Sequence, residues 1–483
     1  VSQPTTPQST WKEGLIELTE ERSVASDFLA KATQSVPPLY AHQKITVKHL
    51  NDYPKTLDAS DPGTGKTRSH LEAWASRRRR GGLCALVLAP KTLLEAAWTA
   101  DLHKYFPGEF TSSVAYAKNR AKAFEVEADI YVTNVDAVKW LAEQPTSFFA
   151  RFDEIIVDEA TAFKNRNSKR SKALNKIKKH FKFRRALTGT PNSRTVTDVW
   201  NQIFFLDDGE RLGKNFFAFR NSVQTPVQVG PAANMINWVD KDGAEVAVAG
   251  LISDITVRHK FEECLDIPAQ VMRSRYIHLS KKLQKAYDEL KETAVLELEK
   301  ADVIGINAAV LANKLLQVAS GSVYAEGDPQ LIDTERYELT LDLAEEVDHS
   351  IVFFMWHHQR KALEVQAKKR GVNYEVIDRT VNERRRTSIV NAYQEGVYQT
   401  LFLHPKSAAH GLTLTKGTRT IWASPTYEPD IFKQGNHRIY RAGQNQKTEI
   451  IMIAAEGTIE PQVYAKMQDK NRRMINLLEI LQS

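Results

Sequence analysis

The residues Ser60-Asp61-Pro62-Gly63-Thr64-Gly65-Lys66-Thr67 follow a short step, Thr56-Leu57, and precede a helical run over 68–77. Glycines let backbone N–H groups approach an anion closely, and a helix N-terminus adds partial positive charge beside them. The stretch therefore reads as a phosphate cradle. Gly63, Thr64 and Gly65 would wrap the phosphates, Lys66 would reach the β- and γ-phosphates, and the Thr67 hydroxyl would bind Mg2+. Ser60 stands where the strict pattern has its first glycine. The bland alternative is a Gly-containing turn followed by a chance Lys-Thr. A second feature weighs against it. Further on, Ile155-Ile156-Val157 runs straight into Asp158-Glu159. Asp158 would hold the Mg2+ shell, and Glu159 would orient and deprotonate an attacking water. Two acids at a strand end are often only solvated. Following a phosphate loop, they supply the other half of a nucleoside-triphosphate-hydrolysing site.

Such residues need a sheet to hold them. Apolar runs at 84–88, 129–132 and 154–157 read as buried parallel strands. Each ends in a polar or Gly/Pro-containing turn before a helical pattern, which predicts a doubly wound sheet with its working loops at the strand carboxyl ends. The 483 residues suggest about three units at ~150 residues each. Residues 1–36 read as an N-terminal extension with an amphipathic helix over 11–32, and Pro37-Pro38 punctuates the chain. Residues 37–206 read as a first, nucleotide-binding α/β lobe. Residues 207–335 read as a helical and irregular insertion and linker, turn-rich over 223–250 and helical over 281–318. Residues 336–483 read as a second α/β lobe, with strands at 350–354, 374–377, 400–403, 419–422 and 449–453 and helices over 459–481. The expected fold class is α/β, with two tandem doubly wound lobes and a partly helical insertion between them.

Composition narrows the class without deciding it. Lys and Arg number 66 against 59 Asp and Glu, a net charge of +7. That excess is compatible with a polyanionic partner but weak by itself. Cys84 and Cys264 make neither a metal cluster nor a disulfide framework, which fits a reducing interior. Cys84, within an apolar run, reads as a buried thiol. No apolar stretch approaches the ~20 residues of a membrane span.

The order of further motifs resembles the SNF2 branch of the superfamily-2 helicases over residues 37–470. Leu187-Thr188-Gly189-Thr190-Pro191 resembles the Thr-Gly-Thr-Pro coupling motif of that family. Asp158-Glu159-Ala160-Thr161 with Lys164-Asn165 resembles its acidic motif, Thr161 replacing a His. Residues 39–43 look like the adenine-reading motif, with Gln43 as the reading amide; a surface helix residue is the alternative. Residues 434–444 resemble the last helicase motif, which places Arg438 and Arg441 as transition-state arginines on one helix face and Gln444 at the nucleotide. Residues 408–414, with Gly411, resemble the family's Gly-x-Gly-Leu-Asn-Leu motif, and 457–460 its Gly-Thr-Ile-Glu.

The resemblance implies two RecA-like lobes that close on ATP and Mg2+ and a DNA-dependent ATPase that moves along duplex DNA. It also suggests a minimal phage or bacterial member. A DNA grip would fall mainly on phosphates, because a motor must work on any sequence. Candidate contacts are Lys91, Thr133 and Asn134 on the first lobe and His357, Ser407 and Thr413 on the second. A basic run, including Lys169, Arg170, Lys172, Lys176, Lys178, Lys179, Lys182, Arg184 and Arg185, could line a backbone track or form a solvated helix face. The cluster Arg77, Arg78, Arg79 and Arg80 reads as a helix end suited to the helix dipole. Trp98, Trp140, Trp200 and Trp238 read as packing residues. The expected partner is DNA, duplex or branched, bound by a monomer with no membrane attachment. The compartment would be the cytoplasm of a bacterial or phage-infected cell, or a nucleus if the source is eukaryotic. The rival readings are a strand-separating DNA or RNA helicase and a nucleic-acid-binding scaffold with a decayed ATPase.

Overall fold

The computed structural model describes residues 36–192, 195–228, 235–264, 268–300, 304–325, 328–408 and 412–467. The expected helix over 11–32, Gly411 and most of the C-terminal helical run lie outside the described residues; within them, 460–467 is helical.

The first lobe begins with helix α1 (Ala41–Asp52) and β1 (Lys55–Asp58), followed by helix α2 (Lys66–Arg78). Strands β2 (Cys84–Ala89), β3 (Ser112–Ala115), β4 (Ile130–Asn134), β5 (Phe152–Asp158) and β6 (Phe183–Leu187) follow. An antiparallel hairpin of β7 (Gln224–Gln228) and β8 (Ile236–Asp240) leads to the two-residue β9 (Thr256–Val257). The sheet order is β3-β4-β2-β5-β6-β1-β9, parallel throughout, so every strand delivers its carboxyl end to the same edge. In that order β1 lies three places from β2, with β5 and β6 between them, which leaves a crevice above β1 where open α/β sheets bind ligands.

Both sheet faces are covered, and the strands show why. In β2, Leu86 and Leu88 pack into one core, whereas Ala85, Val87 and Ala89 pack into another with Leu71, Trp74 and Trp98. Successive side chains point to opposite faces, so a strand buried on both sides must be apolar at every position. The 84–88 run is therefore continuous rather than alternating.

The second lobe follows the same plan. Its strands are β10 (Gln270–Ile277), β13 (Ser350–Phe353), β14 (Tyr374–Ile377), β15 (Thr400–Leu403), β16 (Arg419–Trp422) and β17 (Thr448–Ala455), in the order β10-β17-β16-β13-β15-β14. A small hairpin of β11 (Ser322–Ala325) and β12 (Asp328–Leu331) stands apart. The strand pairings of the large sheet are parallel, and Ile351 and Phe353 face one core while Val352 and Phe354 face the other. The α/β class with two RecA-like lobes, expected from the sequence, is the fold observed.

The segment 207–335 is not one insertion. Its early part belongs to the first lobe: β9 pairs with β1, and Phe219, Val248, Ala249 and Ile252 join the first core. Its β10 pairs with β17 along eight residues of the second sheet. The turn-rich reading of 223–250 also missed a helix at Ala244–Ile252. Nearly every residue there is apolar, so no helical period stands out for a sequence pattern to detect. The helices Lys281–Lys300 and Ile304–Ala319 match the helical reading of 281–318.

Candidate active site

The phosphate loop leaves β1 at Asp58 and enters α2 at Lys66, with Gly65 as the N-cap. Gly63 and Gly65 have φ of +89° and +79°, a left-handed backbone that costs glycine little. A strap from β9 holds the loop from one side. Ala59 N–H donates to Val257 O at 2.9 Å, Asp61 N–H to His259 O at 3.0 Å, and His259 N–H back to Ser60 Oγ at 3.1 Å. Ser60, the departure from the strict glycine pattern, thus has a structural use, and it is buried. Lys66 Nζ rests on the loop's own carbonyls, 2.7 Å from Ser60 O and 3.0 Å from Asp61 O. Thr67 occupies the first turn of α2.

Gln43 is buried, which removes the surface-residue alternative. Tyr40 N–H donates to its Oε1 at 3.0 Å, and its Nε2 donates to Thr64 O at 3.4 Å. A Cβ placed on Gly65 would overlap that Nε2, so any larger residue there would displace the Gln43 amide as well as strain the left-handed backbone.

The acidic pair sits at the end of β5, beside the end of β1 through β6. Trp98 Nε1–H donates to Asp158 Oδ2 at 3.0 Å, and Glu159 N–H donates to Oδ1 at 3.0 Å. Glu159 has φ of +53°, an unfavourable conformation for a non-glycine residue, which persists only where the surroundings impose it. Burial pushes both carboxyls above their ordinary values; for Asp158 the adjacent Glu159 charge adds to the rise, and Lys66 opposes it in both. A divalent cation there would favour the ionised forms. Asp158 and the Thr67 hydroxyl are hard oxygen donors, as Mg2+ requires. Among the described residues no group of three or more His, Cys, Asp or Glu could hold an ion unaided. The donor set thus fits an ion shared with phosphate oxygens. The loop carrying Thr188-Gly189-Thr190 packs directly on this centre: a Cβ on Gly189 would lie 2.9 Å from Pro62 Cδ, and Thr188 N–H donates to Asp58 O at 3.0 Å.

The second lobe presents its last motif to the same loop. A Cβ on Gly63 would lie 3.3 Å from Arg441 Cβ. Gln434 Nε2 donates to Glu159 Oε1 at 3.5 Å, and Lys433 Nζ lies 2.9 Å from Asp61 Oδ1. Arg438 and Arg441 do not share a helix face. Helix Pro429–Asn436 ends before them, and both lie in the turns that follow. The helix stops where Gly435 is wedged against Trp422 and Phe353 and His437 closes the C-cap. The two guanidiniums converge nonetheless, through Nη1 of each on Leu412 O at 3.2 and 2.8 Å. Burial lowers Arg438 to about 9, with Arg441 adding repulsion and Glu159 opposing. Two cations side by side, Arg438 buried and Arg441 partly so, are a receptor for an anion.

Other expected contacts fare unevenly. The Gln444 amide is taken up by the backbone: its Nε2 donates to Thr415 O, Gly417 O and Ile439 O, which ties the arginine turn to the preceding loop. Thr133 is fully buried, donating to Ala115 O at 2.7 Å, and cannot meet DNA. Asn134 Oδ1 accepts from Arg120 at 3.0 Å. Lys91 and His357 are exposed, and Ser407 and Thr413 are partly so. Within the basic run, Arg185 is buried against Glu154, Arg184 and Lys178 pair with Asp208, and Arg170 pairs with Asp136. Those four brace the lobe, leaving Lys169, Lys172, Lys176, Lys179 and Lys182 on the surface. Arg77, Arg78 and Arg79 likewise pair, with Glu154, Asp129 and Glu109.

Sequence reasoning missed four members of the site. Asp61, an acid inside a phosphate loop, was a visible anomaly; its partners Lys433 and Arg258 are remote in sequence and carried no signal. Trp98 read only as packing, although an indole N–H in a core needs an acceptor.

A glycine-rich loop and an acid pair on one parallel sheet, faced by two arginines from a second, make a two-lobed arrangement that fits nucleotide hydrolysis. A model of the SNF2-related domain matches residues 33–323, and one of the helicase conserved C-terminal domain matches 335–443. The chain belongs to the SNF2-related family and is a helicase-like ATPase. It is 27% identical to the p41 protein of Acyrthosiphon pisum secondary endosymbiont phage 1, over 91% of this chain and 98% of that one. It is 22% identical to the uncharacterized ATP-dependent helicase MG018 of Mycoplasma genitalium, over 86% of this chain but 39% of that protein. The chain thus spans nearly all of the phage relative and well under half of the bacterial one. The Sulfolobus solfataricus SWI2/SNF2 ATPase core, solved in complex with dsDNA, aligns over 92% of this chain and 95% of that one, with 20% identity and a TM-score of 0.42.

Proposed function

We propose that this chain hydrolyses ATP when bound to DNA and uses the cycle to move along duplex DNA, remodelling the DNA or its bound proteins. The observation that carries this reading is the split site, with Gly63 against Arg441 and Glu159 against Gln434 across the lobe boundary. Such a site is complete only when both lobes close, so nucleotide turnover and lobe movement are obligatorily linked. Thr67 and Asp158 would hold Mg2+, which neutralises phosphate charge and organises the triphosphate for in-line attack. Lys66 would hold the β- and γ-phosphates, Gln43 the adenine edge, and Glu159 the attacking water. Arg438 and Arg441 would stabilise charge on the transferring phosphoryl group. DNA would lie across both lobes, contacting Lys91 on one and His357, Ser407 and Thr413 on the other, mainly through phosphates. Among the described residues no helix is long and apolar enough to cross a membrane.

The test is ATP hydrolysis titrated with single-stranded, duplex and branched DNA and with RNA, beside triplex-displacement and forked-duplex unwinding assays. Duplex-stimulated hydrolysis with triplex displacement is expected. Robust unwinding without triplex displacement would replace the translocase with a strand-separating helicase, and hydrolysis indifferent to DNA would end the motor reading.

A further inference from the structure

Between Glu159 and Asp198 the chain carries twelve Lys and Arg and no acid. The fold uses part of that charge: Lys164, Arg170, Lys178, Arg184 and Arg185 pair with acids from other segments. Lys169, Lys172, Lys176 and Lys179 do not. The first three lie on the helix Lys169–Ile177 and the fourth in the 3-10 turn that follows, at intervals of three, four and three residues. That spacing sets them on one face, in a row about 15 Å long. All four are exposed and, among the described residues, none forms an ion pair; Lys176 Nζ rests on Ala142 O at 2.7 Å. Of the acids flanking the neighbouring helix Val138–Leu141, Asp136 is held by Arg170 and Lys139, and Glu143 pairs with none of the four. The row works against the helix that carries it. The first turn holds Lys169, Arg170 and Lys172 and no acid, at the positive end of the helix dipole. Like charges three and four residues apart repel one another as well. The helix is anchored by buried Leu174 and Ile177, so packing does not require the lysines.

We propose that this lysine face binds the phosphate backbone of a second segment of duplex DNA, outside the cleft. Every exposed position of the helix is a lysine, and its apolar side chains point into the core. A membrane surface would need an apolar face to insert. A protein partner would need an apolar centre, a setting from which Lys is depleted. An unopposed row of ammonium groups on flexible stems suits phosphates of any sequence. The face is also separate from the cleft contacts. Leu174 and Ile177 join the core of Leu86 and Leu88, whereas Leu93 and Leu94, which follow Lys91, join the core on the other side of the sheet. A motor holding one duplex in its cleft would thus hold another, or another arm of a branched one, on its flank. The identity of the occupant rests on the DNA-motor reading; the unopposed charge does not.

The test loads the full chain on an immobilised short duplex and measures capture of a second, labelled duplex. The parent should capture it with a log–log salt slope of about −3.6, from four phosphate contacts at about 0.9 each. The chain with Lys169→Gln, Lys172→Gln, Lys176→Gln and Lys179→Gln should bind the second duplex about tenfold or more weakly, with DNA-stimulated hydrolysis within about twofold of the parent. Relief of repulsion means that it should melt no lower than the parent. Arg at the same four positions should keep the capture. No capture by the parent, or parental capture by the Gln chain, overturns the proposal. Loss of stimulation together with capture also overturns it, because the row would then belong to the cleft track. So does displacement of the second duplex by poly-glutamate or phosphatidylserine vesicles as effectively, charge for charge, as by duplex itself. A parent whose hydrolysis ignores DNA would defeat the motor reading instead, and direct binding of labelled duplex by the parent and Gln chains would still decide for or against the lysine face.

Discussion

Ser60 occupies a glycine position of the phosphate-loop pattern, yet its hydroxyl accepts the His259 N–H and its own N–H donates to Asp58 Oδ1. A Ser60→Gly change would restore the strict motif and remove that acceptor, leaving a partly buried N–H unsatisfied. A loss of about 1–3 kcal/mol in chemical-denaturation stability is expected, with no gain in ATP affinity. In the proposed reaction Lys66 and Glu159 carry the chemistry. Lys66→Ala should abolish measurable DNA-stimulated hydrolysis. Glu159→Gln should leave nucleotide bound but unhydrolysed, seen as retention of labelled ATP on the protein after gel filtration. Retention of ADP in its place would show that Glu159 is not the base. These residues were legible because each is demanded by type and order along the chain. Gln444 shows what type and order leave out: three backbone carbonyls claim its amide, and no sequence pattern reports a hydrogen-bond partner.

At the scale of elements, strands were the most legible feature. Strands buried on both faces require uninterrupted apolar runs, and β2, β5, β13 and β15 have them. The strand β9 was not legible, because two residues carry no pattern, and it decides where the first lobe ends. The basic run shows a different limit. Sequence gives a charge but not its partner, and Arg185 and Lys179 look alike until Glu154 is seen between Arg77 and Arg185 at 2.5 and 3.0 Å. Burial opposes ionisation of Glu154, yet the two guanidiniums hold its carboxyl below the ordinary value. Glu154→Gln would leave Arg185 buried without its counter-charge and should cost about 3–5 kcal/mol in denaturant unfolding. Lys179→Gln, on the exposed face, should change stability by less than about 0.5 kcal/mol. Equal effects from the two substitutions would show that the run is not divided in this way.

At the scale of the whole molecule, the lobes are joined through Asp61. Its carboxylate receives Lys433 Nζ from the second lobe at 2.9 Å, Arg258 Nη1 at 3.5 Å and the Phe261 N–H at 3.1 Å. Phe261 itself packs edge-on to His437 and Tyr440. Burial opposes the charge on Asp61, but Lys433 and Arg258 outweigh it and hold the carboxyl well below the usual carboxylate range. A lowered pKa means that the stabilisation is fully present above the ordinary value of about 3.9 and is lost as pH falls below it. Closure through this contact should therefore be constant from pH 6 to 9. The Lys433→Ala chain loses a contact made only when the cleft is shut, so its closed population falls and ATP must do more of the closing. The ATP concentration for half-maximal rate should rise about threefold to tenfold, by the fraction of competent chain lost. The nucleotide-free radius of gyration in solution scattering should rise with it. A double-mutant cycle with Asp61→Ala should return a coupling energy of about 0.5–3 kcal/mol in ATP affinity. Strictly additive effects would mean that the two side chains meet without holding the lobes together, and that closure rests on the arginine turn and the nucleotide alone.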